Sequence, residues 1–325
     1  MSMKIASLAA ALTIALSLPS VAQEKWPNRP VTLVVSQAAG ASPDVMARML
    51  AEKLGKELGE SVIVENKPGG GNVIGAQAVA RAKPDGYTFF FATSAALVTN
   101  PFMMKDLPYN PLKDYAPVAL VTRSNQLIVT TPNVQAKNLS ELIALDKKAP
   151  GKMSIAVDGP RNLAGVTALA FNKTAGTSFV LVPYPNINNG VQDVINGRAE
   201  VGVFSVSIVE SQVRAGTLKA MAIAAPKRIA ALPDVPAAGE TIPGFDFAGW
   251  FMVVAPAGTP AEIINRLNAA VDRAVKDPAI KEMAPKLGFD IDPAGLGTPQ
   301  AAATFLKAQT DMWAKTTKDL GIEPQ

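Results

Sequence analysis

Two runs near the start of the chain decide its fold: Val31-Thr32-Leu33-Val34-Val35-Ser36-Gln37-Ala38-Ala39-Gly40-Ala41-Ser42-Pro43-Asp44, and Val62-Ile63-Val64-Glu65-Asn66-Lys67-Pro68-Gly69-Gly70-Gly71-Asn72. The first reads as a β-rich strand, a loop of small residues and a helix start. Ser42-Pro43-Asp44 places a hydroxyl at the N-cap, proline at the first helical position and a carboxylate in the first turn, where unpaired amides and the positive dipole end favour each. Through residues 43–58, Val45, Met46, Met49, Leu50 and Leu54 recur three or four positions apart and share one apolar face, and Gly59 follows as a C-cap. The second run is a short strand ending in three glycines. These lack the Gly-Lys-Ser/Thr ending and the spacing of a phosphate loop, so they read as a tight turn before a helix over residues 73–81.

The same alternation continues outward from this stretch. Apolar β-rich segments fall at residues 31–35, 61–64, 87–92, 127–130, 153–157, 179–182, 201–204, 218–224 and 249–254, with helical patterns between most of them. Asn138 and Glu141 form a reciprocal cap, and Thr259-Pro260-Ala261-Glu262 repeats the helix-start device. No internal repeat is visible. Strands alternating with helices predict an α/β fold of layered helices on largely parallel sheets.

The N-terminus sets an expected compartment. Lys4, an apolar run over residues 5–18 and the small residues Ser20-Val21-Ala22 read as a secretory signal over residues 1–22, cut before Gln23. A membrane anchor is the alternative, but about fourteen apolar-rich residues fall short of the roughly 20 that span a bilayer. The chain has 325 residues, 48% of them hydrophobic, enough for about two domains with packed cores. It has no cysteine and no histidine, which removes a Ser-His-Asp triad, a cysteine nucleophile and zinc sites of the usual nitrogen or sulfur ligands. Ser205 and Ser207 follow a strand, and Lys173 or Lys219 offers a base, yet no Ser-x-x-Lys motif supports catalysis. The formal net charge of +4 includes Lys4, and basic residues are scattered, which argues against nucleic acid as a partner.

Ligands of α/β proteins collect outside the carboxyl ends of parallel strands. The loops in that position are residues 36–42, Thr93-Ser94 after Phe89-Phe90-Phe91, and Asp158-Gly159-Pro160-Arg161-Asn162. The first lets a ligand approach the backbone and ends at helix amides that suit an anion. Arg161 offers a forked donor for a carboxylate, or else is a solvated loop residue or a partner of Asp158. Asp44 reads as a structural cap. Trp250 and Trp313 read as core residues.

Six ordered motifs complete the picture: Trp26-Pro27-Asn28-Arg29-Pro30, Val64-Glu65-Asn66-Lys67-Pro68-Gly69, Pro84-Asp85-Gly86-Tyr87-Thr88, Val182-Pro183-Tyr184, Leu232-Pro233-Asp234-Val235-Pro236 and Ala255-Pro256-Ala257-Gly258-Thr259-Pro260. Together they resemble the Bordetella uptake gene (Bug) family, the receptors of tripartite tricarboxylate transporters. The resemblance implies a two-lobe periplasmic binding protein of type II-like form, each lobe a central mixed, mainly parallel sheet flanked by helices. It implies a discontinuous first lobe over residues 26–121 plus 250–325 and a second over 122–249.

The implied function is that of a periplasmic receptor, not an enzyme. It captures a small organic acid in the interlobe cleft for a membrane permease of the tripartite tricarboxylate type, as a monomer without a cofactor. A sensor feeding a membrane signalling partner is the alternative. The implied binding residues are Ser36, Gln37, Gly40, Ala41, Ser42, Thr93, Ser94, Asp158, Arg161, Asn162, Tyr184, Asn186 and Ser205. Several depart from the family pattern: Ser94 stands for an amide residue, Pro185-Asn186-Ile187 for a lysine and two glycines, and Ser205 for an aspartate. Losing that aspartate and gaining Arg161 predicts a dicarboxylate or aromatic acid in preference to an amino acid.

Overall fold

The computed structural model describes residues 26–160, 162–292, 295–321 and 323–324. The signal over residues 1–22 and Arg161 lie outside the described residues. The strands and helices form two mixed sheets. The first carries β1 (Val31–Val35), β2 (Val62–Asn66), β3 (Thr88–Thr93), β4 (Tyr115–Ser124), β10 (Gly249–Pro256) and β11 (Phe289–Asp290), in the order β11-β4-β10-β3-β1-β2. The second carries β5 (Gln126–Thr130), β6 (Ser154–Val157), β7 (Val180–Pro183), β8 (Val201–Ser205) and β9 (Lys219–Ile223), in the order β7-β6-β8-β5-β9.

With the first sheet go α1 (Ser42–Leu58), α2 (Val73–Ala80), α3 (Asn100–Met103), α4 (Pro111–Asp114), α9 (Ala261–Val275), α10 (Pro278–Lys286) and α11 (Pro299–Leu320). With the second go α5 (Leu139–Lys148), α6 (Leu163–Ala175), α7 (Ile187–Ile195) and α8 (Val206–Arg214).

Between these strands, parallel pairing is confined to β1 with β2 and β3, and to β6 with β7 and β8; the other ladders are antiparallel. The antiparallel ladders involve the strands that carry the chain between sheets. It leaves the first sheet at Ser124, passes through Asn125 and joins the second at Gln126, then returns at Gly249. Asn125 is buried, its amide donates to Gly288 O, and its carbonyl accepts from Val206 N, so it is tied to both sides.

Helices on both faces explain why β3 is apolar without alternation. Phe89 and Phe91 enter one core with Met46, Leu50 and Leu54 of α1, while Phe90 enters another with Trp250, Leu306 and Trp313. Both tryptophans pack in that core: Trp250 Nε1 donates to Gln309 Oε1, and Trp313 lies edge-on to Phe247.

Local differences from the sequence expectations have clear causes. β4 was not expected because Pro117 interrupts it; Pro117 pairs with Val254 beside a register shift, where a missing amide is tolerated. Ser42 is already helical, Ala41 occupies the N-cap, and the Ser42 hydroxyl meets Ser124 Oγ at 3.2 Å instead of capping. Pro260, not Thr259, precedes α9, and Thr259 Oγ1 donates back to Pro256 O. Asn138 caps α5 as expected by accepting from Glu141 N, but Glu141 reaches back to Lys137 N instead of Asn138 N, and Gly59 closes α1 in the left-handed region with φ 78°.

Candidate functional site

Between the two sheets lie two adjoining cavities of about 340 Å³ and 40 Å³. Gln37, Ala41, Asp158 and Ile187 line both. The walls are the segments following β1, β2 and β3 on one side and β6, β7 and β8 on the other, the carboxyl ends at which open α/β sheets bind ligands. The first residues of five helices reach the walls: Ala41 and Ser42 of α1, Asn72 of α2, Asn162 of α6, Ile187 of α7 and Ser205 of α8. Each helix start brings partial positive charge, although some first amides are already engaged, as Asn188 N is by Asn186 Oδ1 and Val206 N by Asn125 O.

The first loop is held from behind. Buried Asp44 accepts from Gly40 N at 2.8 Å and from Arg48 Nε at 3.0 Å, and Asn66 Nδ2 bridges Asp44 Oδ1 and Gln37 O. Burial works against the Asp44 charge, but Arg48, the Gly40 amide and Asn66 outweigh it and hold the carboxyl below its usual range. Asp44 is therefore a structural residue, as expected, and it shapes the cradle without lining it.

A hydrogen-bond chain crosses the cleft. Ser36 Oγ donates to Asn72 Oδ1 at 2.9 Å, Asn72 Nδ2 donates to Asn162 Oδ1 at 2.6 Å, and Asn162 Nδ2 donates to Asp158 O. Asn72 adopts φ 79°, directly after Gly69, Gly70 and Gly71, which are all at positive φ. Four consecutive left-handed or glycine-type residues turn this segment sharply enough to line the larger cavity.

Asp158 is the sole ionisable side chain among the described residues that line either cavity. Its Oδ1 is shielded from solvent and has no hydrogen-bond partner among the described residues. Burial pushes its pKa up to about 7, against the lowering pull of the Asp158 and Ala164 amides.

Of the sequence-predicted site residues, Ser36, Gln37, Ala41, Ser42, Thr93, Ser94, Asp158, Asn162 and Ser205 meet at these cavities. Thr93 Oγ1 accepts from Ala96 N, and Ser205 Oγ accepts from Gln126 Nε2, so both hydroxyls are partly engaged. Gly40 borders neither cavity; its hydrogen-bearing face looks toward Asn188 across the cleft.

Tyr184 and Asn186 also stay outside the walls. Tyr184 turns back over Gly190 and donates to Asp193 Oδ2, and Asn186 caps α7 by accepting from Asn188 N. Asp158 and Ser205 both reach the walls from the second sheet, so that sheet brings one acid to the cleft. Sequence reasoning missed the wall formed by Gly69, Gly70, Gly71, Asn72 and Met104. The signal was available, since the glycines follow a strand just as the other wall segments do.

Comparison with known proteins fits this geometry. The family described as "Tripartite tricarboxylate transporter family receptor" matches residues 46–322. A UPF0065 protein of Bordetella bronchiseptica is 36% identical over 317 residues, covering 98% of this chain and 93% of its own. The structure of periplasmic binding protein BugD superposes with a TM-score of 0.87 at 31% identity, covering 92% of this chain and 100% of its own. An R. palustris protein with adipate gives a TM-score of 0.88 at 28% identity, with 92% and 100% covered. MatC from Rhodopseudomonas palustris with bound malate gives 0.83 at 30% identity, with 89% and 98% covered. Matched across most of its length in sequence and in fold, this chain belongs to the tripartite tricarboxylate transporter receptor family, with the two-lobe periplasmic binding protein fold.

Proposed function

We propose that this protein is a periplasmic receptor that closes two lobes around a small organic acid and presents it to a tripartite-type membrane permease. The lobes are residues 26–124 plus 249–325 and residues 126–248, with Asn125 as one crossing. The observation that carries the ligand class is the convergence of five helix starts on cavities whose described walls hold no lysine or arginine. Amides and helix dipoles there supply diffuse positive potential suited to a carboxylate. The adipate and malate of the two neighbours are acids of this kind. A volume of about 340 Å³ lies at the small end of ligand pockets, which run roughly 300–1,000 Å³. The proposed role is capture, in keeping with the periplasmic binding protein fold of the neighbours. Among the described residues no helix is long and apolar enough to cross a membrane.

A thermal-shift screen of ligand-stripped mature protein against carboxylic acids, amino acids and neutral sugars tests the reading. An acid at 100 times its Kd adds about 2.7 kcal/mol to folding stability and raises the melting temperature. Stabilisation by sugars alone, or by nothing in the screen, would refute carboxylate capture.

A further inference from the structure

We propose that Asp158 recognises the ligand through a shared proton: the cleft takes up its carboxylate together with one proton from solvent, and the neutral Asp158 carboxyl donates an O–H···O hydrogen bond to a ligand carboxylate oxygen. This rests on the carboxylate-receptor reading above and specifies its chemistry. Three observations carry it. Asp158 lies on both cavities, at the junction a bound acid must pass or fill. Its Oδ1 is enclosed and without a hydrogen-bond partner among the described residues, although buried polar atoms normally have one. The Asp158 and Ala164 amides draw on the carboxyl, which accounts for an aspartate here, but Oδ1 takes no hydrogen bond from a described residue.

The surroundings decide the protonation state. Sharing the cavity walls with Asp158 are Ser36, Gln37, Ala41, the Gly69–Gly71 turn, Asn72 and Met104 from the first sheet, and Asn162, Leu163, Ile187 and Ser205 from the second. None of these is charged. The nearest ion pair behind the first loop, Asp44 with Arg48, is mutually satisfied and off the wall. Arg161 is three positions along the chain and outside the described residues, so the test addresses it directly. With no facing cation among the described residues, an ionised Asp158 repels an incoming carboxylate, and two carboxyl groups sharing such a site retain one proton between them. The raised pKa of the free protein means that the proton is available close to neutrality.

Isothermal titration calorimetry of the exported, purified protein at pH 6, 7 and 8 provides the test, using adipate, malate and a panel of simple mono- and dicarboxylates as probes. Ordinary carboxylates stay ionised over this range. The affinity of the best-binding acid is expected to be about tenfold higher at pH 6 than at pH 8, because only the protonated fraction is competent. Heats measured in two buffers of different ionisation enthalpy should show uptake approaching one proton at pH 8. Asp158→Asn, whose amide donates at every pH, and Asp158→Ser should each flatten the slope, while Arg161→Gln should retain it.

A flat wild-type profile, a slope that survives both Asp158 variants, or one that disappears in Arg161→Gln overturns the proposal while leaving carboxylate capture intact. Affinity that rises with pH overturns it in favour of a ligand cation paired with ionised Asp158. No binding by any acid at any pH overturns the receptor reading and the proposal together.

Discussion

Asp158 concentrates the chemistry at the scale of one residue, and its effect on folding is separable from its effect on binding. Burial pushes its carboxyl up to about 7 in the folded protein, from an ordinary value of 3.8. Between those values the folded state binds more protons than the unfolded one, so this group favours folding most in acid and its contribution is lost as pH rises through 7. Asp158→Asn removes the penalty. Its melting temperature should match wild type near pH 4 and exceed it progressively toward pH 8, with a ceiling of about 4 kcal/mol from a shift of this size. A difference that stays constant with pH would show that burial of the charge is not what strains the site. Asp158 could be placed in the sequence because it follows a strand. Its isolation could not, since that depends on which side chains face it from the opposite lobe.

At the scale of elements, the two lobes present matching helix starts. Asn72-Val73-Ile74-Gly75 opens α2 and Asn162-Leu163-Ala164-Gly165 opens α6, with the asparagine at each N-cap and glycine three positions on. The glycines allow contact with the preceding segment: a Cβ on Gly75 would lie 2.9 Å from Lys67 O, and one on Gly165 would lie 2.1 Å from Gly159 O. Backbone atoms cannot swing aside as a side-chain tip can. Gly165→Ala should therefore push the 158–160 loop off α6, at a cost of about 1 to 3 kcal/mol as for other overpacked sites, and weaken binding of the cognate acid. Urea unfolding and titration of the same variant check this, and unchanged values in both would show that the loop is free to relax. The matched starts went unnoticed as a repeat because four residues make too short a pattern. The strands and long helices were legible because periods of two and 3.6 are local. β4 was not, since Pro117 masks a strand whose proline is accommodated by its partner's irregular register.

At the scale of the whole molecule, few hydrogen bonds cross the cleft among the described residues, and the proposed closure of the lobes would act on them. The Asn72–Asn162 hydrogen bond joins residues 90 positions apart and is buried between the lobes. Elsewhere the lobes are joined by hydrogen bonds at Asn125 and from Lys173 Nζ to Asp319 O, and by apolar packing of Val166 and Phe247 in the core of Trp250 and Trp313. Asn162→Ala removes the cleft-side hydrogen bond and leaves the Asn72 amide unpaired, a loss of about 1 to 3 kcal/mol in this arrangement. Small-angle scattering of the ligand-free variant should give a larger radius of gyration than wild type, with the difference reduced at saturating acid. Equal radii would show that this hydrogen bond does not govern closure.

The amino-acid sequence by itself determined the alternation of strands and helices, the helix starts at strand ends, and the motif set that marks the family, because each depends on residues close together in the chain. It also excluded histidine and cysteine chemistry by composition alone. Only the tertiary structure decided which strand-end loops share one cavity, that the triple-glycine turn forms a wall, that Tyr184 turns away toward Asp193, and that Asp158 faces no described cation. Those outcomes follow from burial and electrostatics imposed across the cleft by the opposite lobe, and no local spacing encodes them.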